Sequence, residues 1–481
     1  MSSEQGNIPT DTLVLEIADY VDSYDIQSHI AVDTARYCLM DSLACAFEAL
    51  DHASCVNLLG PVIPGASVTH GARVPGTGFL LDPVTAAFNI SCMVRWLDYS
   101  DTFVGTPTTC HPSDDLGAIL ATTDYLSRVR VAAGQTPLTL ATVLDGMIKA
   151  HEIQGILGSD LPIVQHGIDH VLLPKVACAA VVTKMLGGNR EQIAAAVSLA
   201  FIDAGLCLHR YGSNTGPRKG WAGADAVSQA LRLALMATKG EPGYPQVLTH
   251  PQWGFYKHFL GGEIPKRGMP FGTHVMENAF FKLAGPVVIH AQSAIECALQ
   301  LHPTVHSRLD EIASIAIATH HEPYTKINKS GPLRNAADRD HCLQYAVAVT
   351  LLHGRLTADD YEDDVAADPR IDRLRSLMKV SESARYNESY LDPARCGNPN
   401  AIEIMFKDGT STGLIEVEFP AGHAKRRKQG LPLLIKKFEA SLARRFPPEK
   451  QRTISALCMD HQRLLITPVH EFSNLLATEQ N

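Results

Sequence analysis

Asp101 and His111 are the two residues of this sequence best suited to move a proton between them and a ligand. They lie in a polar stretch from Arg95 to Gly117. An apolar helical run over residues 85–97 stops there, and the apolar spacing resumes only after Pro112, at Leu116, Ile119 and Leu120. In between come Asp98, Asp101, Asp114 and Asp115, one histidine and several hydroxyls. A polar interruption between two apolar helices is either solvated or lines a cavity. Ser113 to Asp115 would also suit a helix N-terminus.

Further polar residues sit at the ends of apolar segments. His166-Gly-Ile-Asp-His170 precedes an apolar run, and His209-Arg210-Tyr211 and Arg218-Lys219 bracket a Gly/Asn loop. Lys282 and His290 flank Pro286, and Asp338-Arg339-Asp340-His341 opens a helix carrying Tyr345. The cations Arg95, Arg210, Arg218, Lys219, Lys282 and Arg339, together with the histidines, suit an anionic substrate with several carboxylates and a proton-transfer step. A lysine desolvated among other cations can have its pKa lowered enough to act as a base.

Several chemistries lack their signatures. The 11 cysteines include no Cys-x-x-Cys, so an iron–sulfur cluster is not expected. His151-Glu152 begins like a zinc-protease helix, but Gly155 stands where the second histidine should be. Gly212 to Gly220 has the wrong spacing for a phosphate loop, and no Gly-x-Ser-x-Gly elbow occurs. No metal and no cofactor are therefore expected. The net charge is −9 and the longest basic tract is Lys425 to Lys428, which argues against nucleic acid. No apolar run approaches the ~18 residues of a membrane span, and the N-terminal residues lack an apolar signal region. With scattered cysteines that read as reduced, the expected location is cytoplasmic.

The elements that must position these residues are mostly helices. Ser28 can cap a helix, and alanine-rich helical text covers 138–155, 176–186, 191–206 and 222–237, with Pro/Gly breaks between. The expected class is mainly α. It comprises a helical domain over 1–270, a smaller α+β domain over 271–422, and C-terminal helices over 423–481 that return to the first. Residues 312–319 alternate as a strand does. Asp408-Gly409 between two alternating runs, 401–406 and 412–419, predicts a hairpin. Helices are expected at 338–353 and 370–378, and through 433–446 and 448–476. A cleft between two such domains is a common ligand site.

Longer motifs carry a resemblance. Arg95-Trp-Leu-Asp-Tyr-Ser-Asp-Thr, His111-Pro-Ser-Asp, Lys149-Ala-His-Glu-Ile-Gln-Gly155, Asn214-Thr-Gly-Pro-Arg-Lys219, Ala337-Asp-Arg-Asp-His-Cys342 and Gly354-Arg-Leu-Thr-Ala-Asp-Asp-Tyr-Glu-Asp363 make the chain similar to the MmgE/PrpD family. It most resembles the members that dehydrate 2-methylcitrate to 2-methyl-cis-aconitate without metal or cluster. The resemblance implies a helical domain with an α+β lid, a homodimer, and a tricarboxylate bound between the domains. It implies that Asp101, His111, His170, Lys219 and Tyr345 surround the substrate, with Lys282 and His290 reaching in from the lid. Arg95, Arg210, Arg218 and Arg339 would bind its carboxylates. Lys219 and His170 are expected to be the proton-transfer pair, with His111 held by Asp101.

One departure stands beside His111. The family usually carries Ala-Glu-Trp-Gly before His-Pro-Ser-Asp, whereas this chain has Thr106-Pro-Thr-Thr-Cys110. Thr109 and Cys110 would give a roomier lining, suited to a citrate with a longer alkyl arm. Two alternatives stay open: a cis-aconitate-type decarboxylase of the same family and a catalytically inactive helical scaffold.

Overall fold

The computed structural model describes residues 9–211 and 215–478. The Gly/Asn loop predicted around 212–214 falls outside them. Among the described residues no helix is long and apolar enough to cross a membrane.

Helix starts follow local chemistry. The Ser28 hydroxyl accepts from the Ala31 amide at 3.1 Å and opens His29–Ala49. Asp82 accepts from two amides ahead of Pro83, which opens Pro83–Arg95. The expected helices appear as Leu140–Asp160, Leu172–Met185, Arg190–Ile202 and Ala222–Thr238. The third ends four residues before Leu206, where the chain turns out to solvent at Asp203 and Leu206 pairs instead with Ile168. These helices share one apolar core with Thr12–Ser23, His29–Ala49, Pro83–Arg95 and Leu116–Ala132. Leu434, Phe438, Leu442, Ile454, Leu464 and Phe472 join the same core from the C-terminal helices. The expected helix over 448–476 is three: Pro448–Met459, His461–Ile466 and Val469–Leu475. Asp460 and Pro468 break it.

A second core runs from Val287 to Val417. Gln292–Val305 and Leu343–His353 pack with a four-stranded sheet. Its strands lie in the order Met378–Glu382, Ile312–Thr319, Asn400–Phe406, Ile415–Val417, the first pair parallel and the others antiparallel. Ile315 and Ile317 pair with Ile404 and Ile402, so the alternation noted in the sequence buries one face. The Asp408-Gly409 turn is present, with Gly409 at φ +83°. The return strand is shorter than expected. The helix expected over 370–378 stops at Ser376, and Met378 begins a strand that periodicity did not reveal.

The polar stretch threads between the two cores and is tied along its length. Thr102 exchanges amide–carbonyl bonds with Phe280 at 2.8 and 2.9 Å, and Phe103 does so with Cys110 at 3.0 and 3.1 Å. The Thr108 amide donates to the Gly158 carbonyl at 3.0 Å. A Cβ at Gly158 would come 2.7 Å from the Thr108 carbonyl, so only glycine lets the helix approach the loop this closely.

Candidate active site

Asp98 is the centre of the buried polar cluster. It terminates the helix Pro83–Arg95 in the left-handed region, at φ +49°, where aspartate is tolerated better than most side chains. Its carboxylate meets Arg95 Nη1 at 2.5 Å, Lys282 Nζ at 2.5 Å and Lys219 Nζ at 3.6 Å. Lys282 also donates to the Asp98 carbonyl at 2.7 Å. Lys219 donates to Asp340 at 2.5 Å, and His341 lies between Asp340, at 2.5 Å, and Asp98, at 3.6 Å. Burial alone would raise the Asp98 pKa, but Arg95, Lys282 and Lys219 hold it well below the usual carboxylate range. Burial lowers Lys282 to about 8, opposed by Asp98 and reinforced by Arg95.

Two imidazoles lie alongside, His111 and His170, with ring centres 5.6 Å apart. Burial, helped by nearby cations, keeps both neutral: His170 falls to about 3, and His111 falls well below its usual value. His170 Nδ1 is 3.2 Å from Asp169, while its Nε2 is buried with no hydrogen-bond partner among the described residues. A carboxylate on Nδ1 selects the tautomer whose lone pair sits on Nε2, which is the arrangement of a general base. Asp169 also takes His209 at 2.9 Å and Arg210 at 2.8 Å. Arg210 thus joins the cluster through Asp169.

Not every expected site residue comes here. Asp101 does not hold His111. His111 Nδ1 is 3.2 Å from the Thr102 hydroxyl, and Asp101 is 3.4 Å from His151 instead. Arg218 is exposed, stacked on Trp221 and paired with Asp225, because it points away at the turn that buries Lys219. The Tyr345 hydroxyl is committed to the Asp360 carbonyl at 2.6 Å. Arg339 is spent on the Tyr361 carbonyl and on Asp363, each at 2.6 Å. His290 packs edge-on against the stacked pair His320 and Tyr390, with its Nδ1 unpartnered among the described residues. Thr109 faces Tyr390 and Cys110 is buried in the first core.

Asp98, Asp169, Asp340 and His341 were missed as site residues. Asp169 and Asp340 stand next to residues that were singled out, and all four lie within the motifs already quoted.

Of this cluster, Lys219 and Asp340 reach a cavity of about 540 Å³ between the two cores; Arg95, Asp98, His111, His170 and Lys282 are not among its lining residues. Trp96, Leu97 and Lys219 line it from the helical side, and Arg339, Asp340 and Tyr361 from the other. Residues 106–110 do not line it. Donor atoms of Cys38, Asp101 and His151 lie within 4.8 Å of one another, a set zinc could accept in kind. Arg427 acts electrostatically on both Cys38 and Asp101, so the chain supplies its own counter-charge there.

The MmgE/PrpD N-terminal domain profile matches residues 15–267, and the C-terminal domain profile matches residues 286–461. Among curated proteins, a 2-methylcitrate dehydratase of Cupriavidus necator is 51% identical over 97% of both chains. One of Salmonella typhimurium is 50% identical over 99% of both. A 2-methylcitrate dehydratase-like protein of Aspergillus oryzae is 39% identical over 93% of this chain and 92% of its own.

Proposed function

The chain belongs to the MmgE/PrpD family, and from that premise we propose that it is a hydro-lyase removing water from 2-methylcitrate. The observation that carries the proposal is the buried triad of cations on one carboxylate, Arg95, Lys219 and Lys282 around Asp98, beside a neutral His170 with a free Nε2. Such an array suits a substrate with several carboxylates, whose negative charge grows as a proton leaves the carbon next to one of them.

His170 Nε2 takes that proton. Asp169 holds the imidazole in the basic tautomer and stabilises the imidazolium that forms. Arg95 and Lys282, buried against Asp98, add positive charge as the enolate-like carboxylate develops, and Lys219 Nζ transfers a proton to the departing hydroxyl. The hydroxyl leaves as water, and the carbon–carbon double bond closes between the two reacting carbons. The apolar wall at Trp96 and Leu97 receives the methyl group. Preference for a longer alkyl arm would be set by this wall together with residues 106–110 beside His111. Homodimer formation and a cytoplasmic location remain part of this proposal.

Mass spectrometry of the product tests the reaction. Loss of water from 2-methylcitrate is expected, and loss of carbon dioxide from an aconitate would replace it with the decarboxylase alternative. Absence of turnover on any tricarboxylate would favour the inactive scaffold. His170→Ala and Lys219→Ala are each expected to lower kcat by at least about 100-fold. Wild-type kcat in either variant removes that residue from the chemistry.

A further inference from the structure

Tyr361 ends the Ala358–Tyr361 turn, inside the long motif from Gly354 to Asp363. Its ring is 4% exposed and lines the cavity with Lys219 and Asp340. Its hydroxyl is buried and has no hydrogen-bond partner among the described residues. An unpartnered buried hydroxyl is destabilising unless a ligand group meets it.

The residues around it fix its backbone and leave that hydroxyl alone. Arg339 Nη1 donates to the Tyr361 carbonyl at 2.6 Å. The Tyr345 hydroxyl donates to the preceding carbonyl, that of Asp360, at 2.6 Å. The Tyr345 ring stacks on the Tyr361 ring, with centres 5.9 Å apart and 28° between planes. The Asp360 side chain closes a capping box with Thr357 and takes Arg355 at 2.6 Å. Two residues whose types suggested substrate contact, Arg339 and Tyr345, therefore both converge on the 360–361 backbone. Their shared product is a tyrosine of the cavity lining held rigid from behind, with its hydroxyl buried and unpartnered among the described residues.

Resting on the tricarboxylate reading of the cavity, we propose that the Tyr361 hydroxyl donates a hydrogen bond to a substrate carboxylate, and that Tyr345 and Arg339 position it. A phenol suits this place. Burial and the nearby Asp340 raise its pKa well above the usual value, so it stays a neutral donor at any working pH. It thus adds a hydrogen bond next to Lys219 without adding a charge to a cluster already rich in them.

The test compares Tyr361→Phe with Tyr345→Phe in the full-length protein. The ligand is propane-1,2,3-tricarboxylate, which has three carboxylates and no hydroxyl to lose, with binding read by calorimetry. Tyr361→Phe is expected to weaken binding at least tenfold and to raise KM for 2-methylcitrate to match, while kcat stays within about threefold of wild type. Tyr345→Phe, which keeps the ring stack and loses one backbone tether, is expected to weaken binding by clearly less than Tyr361→Phe while lowering the melting temperature. The reverse pattern gives the role to Tyr345, and unchanged binding in Tyr361→Phe removes Tyr361. A wild type that fails to bind the tricarboxylate overturns the assignment as well. A wild type that binds it but does not turn over 2-methylcitrate sinks the dehydratase proposal alone.

Discussion

Asp98 and Asp101 are three residues apart on one loop, and both are at most 1% exposed, so burial does not tell them apart. Their neighbours do. Asp98 is met by Arg95, Lys219, Lys282 and His341. Asp101 has His151 at 3.4 Å, the Cys38 thiol at 4.0 Å and the charge of a single cation, Arg427, acting on it, and one of its oxygens has no partner among the described residues. The contrast extends along the loop. On the Asp98 side a carboxylate keeps its charge because cations crowd it. Further along, burial raises Asp114 to about 7 despite Arg95 at 3.8 Å, leaving it only partly ionised near neutral pH, and raises Asp115 well above its usual value, so Asp115 keeps its proton. A buried acid marks an anion site when the cations around it exceed its own charge. Where they do not, it is scaffold.

The sharpest way to break this contrast is to neutralise each acid. Asp98→Asn keeps the shape and suits the left-handed backbone, but leaves the Arg95, Lys219 and Lys282 array without its central charge. It is expected to lower kcat/KM at least 100-fold. Both Asp98→Asn and Asp98→Ala strand buried cations, at about 3–5 kcal/mol of stability in urea melts, and alanine also removes the hydrogen-bond acceptor. Asp101→Asn is expected to stay within about tenfold of wild-type kcat/KM. Equal losses from the two asparagine variants would show that the loop acts as one unit.

A second test turns on Lys282, whose pKa of about 8 lies near working pH. Above that pH the ammonium loses its proton and the cluster loses a positive charge, so anion stabilisation weakens as pH rises. The pH profile of kcat/KM, which reports free-enzyme groups, should therefore fall on the alkaline side by about tenfold per pH unit. In Lys282→Arg the guanidinium stays charged, and this limb should vanish. A limb that persists in the arginine variant belongs to some other group.

How far the sequence disclosed this arrangement depended on the length scale of each cause. Helix 222–237 and strand 312–319 were legible because period and capping are local properties. The strand at Met378–Glu382 was not, because its place comes from pairing in parallel with Ile312–Thr319, over sixty residues away. Residue types along 95–117 were enough to single out a polar site, and His170 and Lys219 did come to it. Which acid pairs with which base was invisible. Asp101 meets His151 because the helix Leu140–Asp160 packs beside the loop, and nothing in the spacing of Asp101 and His111 announces that. The tyrosines mislead for the same reason, since Tyr345 and Tyr361 differ only in what stands at the end of each hydroxyl.

The acid end of the loop gives the test with the smallest expected effect on turnover. Asp115 is fully buried, with the Cys178 thiol at 3.3 Å from one oxygen and no partner for the other among the described residues. Its raised pKa means the folded state holds a proton that the unfolded state releases above pH ~4. The stability this group provides is thus complete below that pH and is lost progressively as pH rises toward the folded-state value. Asparagine has nearly the same shape as the protonated acid and does not titrate. Asp115→Asn should leave kcat/KM within about threefold of wild type, and near pH 4 its stability should also match. As pH rises to about 7 the wild type should weaken relative to the variant, by up to about 1.4 kcal/mol per pH unit. Urea melts of both proteins at three pH values measure the gap. A gap that stays flat would mean Asp115 is ionised in the fold, and the division of the loop into a charged end and a protonated end would fall with it.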